Sequence, residues 1–185
     1  MATTSRTQNN KHKLVISAIT QDRPGIVNNI SEFVTEARCN IEDSRMMVLG
    51  GSFAILMMVS GTEAAIKKLQ SQEPALSKVL GSRVQMQMTA DRSDSELARP
   101  YYIEVVALDH QGIVRELSEF IASRNINIES LNTETYAAPH TGSTMFRLEM
   151  IVNIPVAVKM SEFRNSLGDF CDQKNLDIQI EPYTV

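Results

Sequence analysis

The feature that most constrains this chain is an internal repeat. When the sequence is shifted by 87 positions, residues 22–42 match residues 109–129 at 10 of 21 positions without a gap. Average composition would produce about one or two such matches by chance. The strings Ser-Glu-Phe and Asn-Ile-Glu recur in both copies. The 185-residue chain is therefore predicted to fold as two copies of one domain.

Polar segments indicate where the two copies begin and end. Residues 91–99 are polar and charged and are followed by Pro100, which is typical of a linker. We predict a flexible N-terminus over 1–11, a first domain over 12–90, the linker over 91–99 and a second domain over 100–185. Because an exposed sheet edge must be covered, we expect the two domains to pair within the chain or across a dimer.

Each copy opens with a predicted strand and helix. Dense apolar residues predict first strands over 13–20 and 101–108. The segments that follow carry apolar residues at a period of 3.6, which predicts one buried helix face in each copy. The members of these faces are Ile26, Val27, Ile30, Phe33, Val34 and Ala37 in the first copy, and Ile113, Val114, Leu117, Phe120 and Ile121 in the second.

A hairpin is predicted after each first helix. In the first copy its strands are expected over 40–49 and 52–60, with Gly50-Gly51 as the turn. In the second copy they are expected over 127–137 and 143–152, with a longer turn.

A second helix and a last strand complete each copy. The first-copy helix is expected to begin near Thr62, to run to about residue 80, and to break or kink at Pro74. The second-copy helix is expected to begin near Pro155, because proline suits a first helical turn. Its predicted apolar stripe consists of Val156, Met160, Phe163, Leu167 and Phe170. The last strands are expected over 83–89 and 176–183.

The order strand–helix–strand–strand–helix–strand is the ferredoxin-like arrangement. We therefore predict an α+β protein with two βαββαβ domains in tandem. Each domain should hold an antiparallel sheet with two helices on one face.

Composition excludes several classes of protein. The net charge of −4 argues against a basic nucleic-acid-binding face, so we expect no direct contact with nucleic acid. The longest apolar run, residues 53–59, is too short for a membrane helix, which needs about 20 residues. The first 13 residues lack the apolar stretch of a signal peptide. We expect a cytoplasmic protein without membrane association.

Charge is unevenly distributed between the copies. Residues 1–90 carry a net charge of +3 and residues 91–185 a net charge of −7. This asymmetry fits solvated surface, two halves that attract one another, or a basic half that meets an acidic partner.

The first strand-to-helix turn is the main candidate binding site. In the first copy it reads Asp22-Arg23-Pro24-Gly25. Proline pre-sets a dihedral for a first helical turn, and glycine lets a ligand approach the backbone. Free N–H groups and the helix dipole favour a carboxylate there, and Asp22 could accept hydrogen bonds from an ammonium group. The alternative is that Asp22 only caps the helix and Gly25 only forms a tight turn.

Three further polar residues have two interpretations each. Asn40 and Asn127 each begin a strand, where asparagine usually satisfies nearby backbone groups, but their amides could also bind a ligand. His110 is a candidate ligand contact or a surface residue.

The sequence contains no recognisable catalytic or metal-binding motif. His12, His140 and the two cysteines, Cys39 and Cys171, show no metal-ligand spacing, and the cysteines do not suggest a disulfide scaffold. No nucleophile elbow, phosphate-binding loop or dinucleotide fingerprint occurs. We expect no enzyme activity, no cofactor and no metal site.

The Asp-Arg-Pro-Gly-Ile turn between first strand and first helix resembles that of the ACT domain, an amino-acid-sensing regulatory module of ferredoxin-like fold. The resemblance covers nearly the whole chain as two tandem copies, ACT domain 1 over 12–90 and ACT domain 2 over 100–185. Residues 19–28, 39–45 and 60–61 are similar to the glycine cleavage system transcriptional repressor family. Members of that family are stand-alone tandem ACT proteins thought to contact a DNA-binding activator, with glycine as controlling ligand.

The resemblance also implies ligand contacts, at the place where one domain's first turn meets a neighbour's strand. The implied residues are Asp22, Pro24, Gly25, Ile26, Val27, Asn28, Asn40 and Ile41 in the first copy, and Asp109, His110, Gly112, Ile113, Val114, Asn127 and Ile128 in the second. The second turn departs from the family pattern, since His110-Gln111 replace Arg-Pro. The second turn is therefore expected to be less pre-organised for binding.

Three functions are compatible with these features. The first is an amino-acid-sensing regulator, a transcriptional repressor of the glycine cleavage system that acts through protein–protein contact with a DNA-binding regulator. The second is a regulatory subunit or allosteric partner of an enzyme of amino-acid metabolism. The third, an RNA-recognition motif, shares this strand order but would need aromatic residues that the predicted central strands lack.

Overall fold

The computed structural model describes residues 11–90 and 98–184. The chain divides into two compact units, Met1–Arg92 (unit 1) and Ser93–Val185 (unit 2), and each is described by itself. Apart from residue 11, the predicted N-terminal segment 1–11 lies outside the described residues. The predicted linker over 91–99 lies outside them at 91–97, and its end is wrong, because residues 98 and 99 begin a strand.

Unit 1 is a four-stranded antiparallel sheet with helices packed on one face. Its elements are β1 (His12–Gln21), α1 (Ile26–Glu36), β2 (Asn40–Leu49), β3 (Ser52–Gly61), α2 (Glu63–Ser71), α3 (Glu73–Leu80) and β4 (Val84–Thr89). The strand order is β2-β3-β1-β4. Alternate residues of β1, such as Leu14 and Ile16, are fully buried against Ile30 of α1 and Leu69 of α2 in one apolar core.

Unit 2 repeats this topology. Its elements are β5 (Ala98–Leu108), α4 (Ile113–Ala122), β6 (Asn127–Ala137), β7 (Thr144–Pro155), α5 (Met160–Gln173) and β8 (Asp177–Pro182). The strand order β6-β7-β5-β8 matches that of unit 1, and a separate core surrounds Ile103, Leu117 and Leu167. The predicted α+β fold, two tandem βαββαβ domains of ferredoxin-like type, is confirmed.

The predicted break at Pro74 occurs. Helix α2 ends at Ser71, and α3 begins at Glu73 with the proline in its first turn. A proline is tolerated there because the first helical N–H groups have no intrahelical partner. At the other end, the Thr62 hydroxyl oxygen accepts a hydrogen bond from the Ala65 N–H, as predicted for an N-cap.

The predicted start of the last helix at Pro155 is wrong. Pro155 is the last residue of β7 and pairs with Ala98, and α5 begins five residues later at Met160. Because Pro155 is the last paired residue of β7, no further hydrogen bond between the strands requires the N–H that proline lacks. Val156, predicted to lie on the helical stripe, is outside the helix and 47% exposed. The stripe is instead completed by the buried Cys171.

Candidate functional site

Glycine determines the shape of the turn before the first helix of each unit. Gly25 has φ 90° and ψ −3°, and Gly112 has φ 102° and ψ −10°. These are the values of the third residue of a type II turn, whose second residue is often proline. Pro24 therefore precedes the N-cap residue Gly25, and the expectation that it lies in the first helical turn is wrong.

Space is open in front of both turns. Within the described part of the chain, a Cβ added to Gly25 would meet no atom within 4 Å, and one added to Gly112 would meet only Glu116 Oε1, at 3.9 Å. No side chain of residues 11–90 and 98–184 caps α1 or α4. The first N–H groups of these helices are therefore available to an anionic group.

Asp22 is not a helix cap. Its carboxylate makes no hydrogen bond or ion pair with the described part of the chain, and its own N–H donates to Gly51 O over 3.3 Å. Asp109 repeats this backbone anchor, since its N–H donates to Thr144 O over 2.9 Å. Each turn thus lies beside the hairpin of its own unit with an exposed carboxylate.

Two side chains tie the unit 1 turn to the end of α3. The Arg23 guanidinium donates to Val79 O over 2.7 Å, and the buried Thr20 hydroxyl donates to Leu80 O over 2.6 Å. A helix C-terminus leaves such carbonyl oxygens without intrahelical donors, and a cation is favourable there. The repeat places Ala107 and His110 at the matching positions of unit 2.

The other turn residues divide into core and surface. Ile26 and Ile113 are each 2% exposed, so their side chains belong to the cores and only their backbone could meet a ligand. Val27, Val114 and Asn28 lie on the exposed side of their helices, so the expectation that the two valines belong to buried helix faces is wrong.

The strand residues implied by the resemblance lie at the end of each sheet that is opposite the turn. Asn40 pairs with Ser60, and Ser60 pairs with Lys13 at the start of β1, whereas the turn follows the end of β1. At about 3.3 Å per residue, eight residues place the two groups roughly 26 Å apart. Asn127 occupies the same place in unit 2, where it pairs with Asn153. One small ligand cannot touch both groups of a single unit.

Both strand-opening asparagines satisfy nearby backbone. Asn40 Nδ2 donates to Ile41 O over 3.2 Å, and Asn127 Nδ2 donates to Ile128 O over 3.1 Å. Ile41, at 38% exposure, and the half-buried Ile128 follow them along the strand. The local backbone interpretation therefore accounts for each amide.

A β-bulge follows both asparagines, and sequence analysis did not predict it. The pairing register shifts at Glu42 in unit 1 and at Glu129 in unit 2. Glu42 accepts hydrogen bonds from the Ser60 hydroxyl and from Asn40 Nδ2, and these lower the pKa of its carboxyl group. Glu129 Oε2 accepts one from Asn153 over 2.8 Å. The string Asn-Ile-Glu, which recurs in both copies, is the sequence feature that could have indicated the bulge.

Residues 11–90 and 98–184 contain no group of three or more His, Cys, Asp or Glu side chains that could hold a metal ion. No helix among them has the length and apolar character needed to span a membrane.

Comparison with known proteins finds a family match over the first unit. Residues 12–87 match the ACT domain model. The glycine cleavage system transcriptional repressor of Escherichia coli (strain K12) is 27% identical over 169 residues, which cover 91% of this chain and 89% of the relative.

Two solved structures cover nearly the whole chain. A protein of unknown function from Galdieria sulphuraria is 31% identical with a TM-score of 0.79, over 94% of this chain and 99% of that one. A structure assigned to the glycine cleavage system transcriptional repressors has a TM-score of 0.72 at 24% identity, over 95% and 99% of the two chains, and supports the fold.

Two βαββαβ units with glycine turns before their first helices define a protein of two tandem ferredoxin-like domains. Residues 12–87 belong to the ACT domain family, and the chain is similar over nearly its whole length to the glycine cleavage system transcriptional repressors.

Proposed function

We propose that this chain is an amino-acid-sensing repressor of the glycine cleavage system, acting by contact with a DNA-binding regulator protein. The similarity to a repressor of that system over 91% of the chain supports this proposal. The acidic net charge of −4 is the reason to assign the contact to a protein rather than to DNA. Glycine is the favoured ligand.

The open turn at Gly25 is the single observation that carries the ligand proposal. A ligand carboxylate accepts hydrogen bonds from the uncapped N–H groups at the start of α1, where the helix dipole also favours a negative charge. The ligand ammonium group lies near the exposed Asp22 carboxylate. A ligand with a short side chain fits because glycine leaves the space in front of the turn free.

The strand residues can join this site only from a different ACT unit. Within one unit, roughly 26 Å separate Asn40 and Ile41 from the turn. The same holds for Asn127 and Ile128. In this proposal the turn supplies the contacts to the carboxylate and ammonium groups, and a neighbouring unit's strand supplies any amide contact.

The two turns are proposed to differ in affinity. Pro24 restricts the unit 1 turn before binding, and the hydrogen bond from Arg23 to Val79 O holds it in place. Unit 2 has Gln111 and His110 instead, so more conformational freedom is lost when a ligand binds there.

Calorimetric titration of the purified chain against each of the 20 amino acids tests the ligand proposal. We expect heat of binding for a small amino acid, strongest for glycine. Absence of binding for every amino acid would contradict the sensing role. A chain that co-purifies with, and alters, an enzyme of amino-acid metabolism would instead support a regulatory subunit.

A gel-shift experiment tests the assignment to a protein partner. At physiological salt, the chain alone should form no complex with an operator fragment below micromolar concentration, because its net charge is negative. A tight, sequence-specific shift would show that it contacts DNA itself.

A further inference from the structure

The sheet face of unit 1 that lies away from its core is unusually apolar. Side chains alternate across a strand, so residues next to the buried Ile16 and Ala18 point to this other face, here called the open face. Ile19 is 69% exposed, Leu56 50% and Met47 42%. Contiguous exposed apolar side chains of this kind are typical of interaction surfaces.

These side chains form the floor of a groove of about 580 Å³. Ala54 pairs with both Ile19 and Met47, and Leu56 continues the same face along β3. Among the residues that the structure describes, the charged ones that line the groove are Arg45 and Arg83, and none of them contributes a carboxylate. The groove therefore combines an apolar floor with positive charge.

The two arginines lie at opposite edges of the sheet. Arg45 is on the edge strand β2, and Arg83 directly precedes the edge strand β4. Three strand spacings of about 4.8 Å put these edges roughly 14 Å apart. An α-helix with its side chains is about 10–12 Å wide, so one helix fits over the floor between the arginines.

Unit 2 shows that the fold does not require this apolar face. By pairing register, Ser17 and Leu56 correspond to Glu104 and Glu149. There Glu104 lies 3.2 Å from Arg147.

The unit 2 face is occupied by its own polar contacts. Arg147 also pairs with Glu134 over 3.1 Å, and the Tyr102 hydroxyl donates to Glu149 over 2.9 Å. The positions that carry Met47, Ala54 and Leu56 in unit 1 thus carry Glu134, Arg147 and Glu149 in unit 2, where each is paired with another side chain.

We infer that the open face of unit 1 docks an amphipathic helix of a partner protein, whose apolar stripe is flanked on both sides by Asp or Glu. The apolar stripe covers Ile19, Met47 and Leu56, and the carboxylates meet Arg45 and Arg83. Arg45 already forms an ion pair with Asp43, but both side chains are mostly exposed. An exposed ion pair contributes little to stability, so a carboxylate of the partner can take the place of Asp43. This surface goes beyond the proposed amino-acid site and does not depend on it.

Binding of two designed peptides to the full chain tests this inference. Both are fluorescent helices of about 18 residues, or five turns, with the same leucine stripe, flanked by Glu in one and by Lys in the other. By fluorescence anisotropy, we expect the Glu peptide to bind at least tenfold more tightly. Equal affinity, or no binding of either peptide, overturns the proposal.

Two single substitutions test whether the peptide binds at the open face of unit 1. Leu56→Glu introduces the residue that unit 2 already carries at the matching position, so the fold accepts it, and it should weaken Glu-peptide binding at least tenfold. Leu108→Glu, at an exposed leucine on the corresponding face of unit 2, is the control and should bind as the parent does. An unchanged affinity of Leu56→Glu overturns the proposal.

A charge reversal tests the arginines without altering the apolar floor. Arg45→Glu combined with Arg83→Glu should reverse the preference, so that the Lys peptide binds more tightly. Sedimentation of the parent and of Leu56→Glu tests whether a second copy of the chain, rather than a partner helix, covers this face. A parent dimer that becomes monomeric on this substitution assigns the face to a second copy and overturns the helix proposal.

Discussion

The Arg23 guanidinium donates a hydrogen bond of 2.7 Å to the carbonyl oxygen of Val79 and so joins the turn before α1 to the last turn of α3. Thr20 adds a second bond, from its hydroxyl to Leu80 O. Both acceptors are carbonyls that a helix C-terminus leaves without intrahelical donors. The position of the candidate binding turn therefore depends on α3, an element about 60 residues away along the chain.

Thr20→Val should destabilise unit 1. Thr20 is 5% exposed and Leu80 1%, so the substitution leaves a buried carbonyl oxygen without its donor, at a cost of about 1–3 kcal/mol. Urea unfolding followed by two signals measures this. All four tyrosines, at 101, 102, 136 and 183, belong to unit 2, so tyrosine fluorescence reports that unit and circular dichroism reports both.

For Thr20→Val, the dichroism transition should begin at lower urea while the tyrosine transition stays in place. Arg23→Ala is the matched control, because its bond to Val79 is exposed and its loss should cost less. A Thr20→Val protein with both transitions unchanged would show that the buried bond does not stabilise the unit.

Gly25→Ala should cost about 1–2 kcal/mol of folding free energy through backbone strain alone. The positive φ of Gly25 is unfavourable for a residue with a Cβ, whereas the space around that Cβ is open. Gly25→Asn should cost less, because asparagine tolerates such backbone better. The same urea transitions measure both variants, and an alanine variant as stable as the parent would refute the strain argument.

Most of the fold could be predicted because its elements follow from local patterns. The repeat defined the unit, and the 3.6-residue period located α1 and α4. Most members of their predicted apolar faces are buried as expected, but Val27 and Val114 are exposed. The break at Pro74 followed from the missing N–H of proline. The same local argument failed at Pro155, because strand pairing to Ala98 extends β7 over a residue that looks like a helix start.

The candidate site could be predicted only in part, because its geometry depends on pairing between distant segments. The sequence singled out the turn and the asparagines, but nothing local shows that Asn40 and Asp22 lie at opposite ends of β1. That follows from the register between β1, β2 and β3. The bulge at Glu42 depends on the same register and was missed.

Cys171 should be unreactive until unit 2 unfolds. Its side chain is fully buried, and burial followed by the nearby Asp172 charge raises the pKa of its thiol to about 11. Little thiolate therefore exists at pH 8, and no reagent reaches it. Cys39 is only half-buried, and burial raises the pKa of its thiol as well, so it should react slowly but measurably in the folded protein.

Single-cysteine variants check this with a thiol-specific chromogenic reagent. In Cys39→Ser, labelling of Cys171 should appear over the urea range in which tyrosine fluorescence changes. Labelling in the absence of urea at the rate seen for Cys39 would contradict the burial of Cys171.

Asp22→Ala should separate ligand binding from stability. The Asp22 carboxylate makes no hydrogen bond with the described residues, so its removal should change the free energy of unfolding by less than about 0.5 kcal/mol. A charge-assisted bond to the ligand ammonium group is worth about 1.5–3 kcal/mol, so affinity for the amino acid should fall about tenfold or more. Calorimetry and urea unfolding of the same preparation measure the two effects.

Asp109→Ala is the internal control for this substitution. It removes the matching carboxylate from a turn that lacks both Pro24 and the hydrogen bond from Arg23 to Val79 O, so it should weaken amino-acid binding less than Asp22→Ala does. An equal or larger loss for Asp109→Ala would mean that the unit 2 turn is the stronger site. If Asp22→Ala and Gly25→Asn both stay folded and bind the amino acid as the parent does, the ligand binds elsewhere.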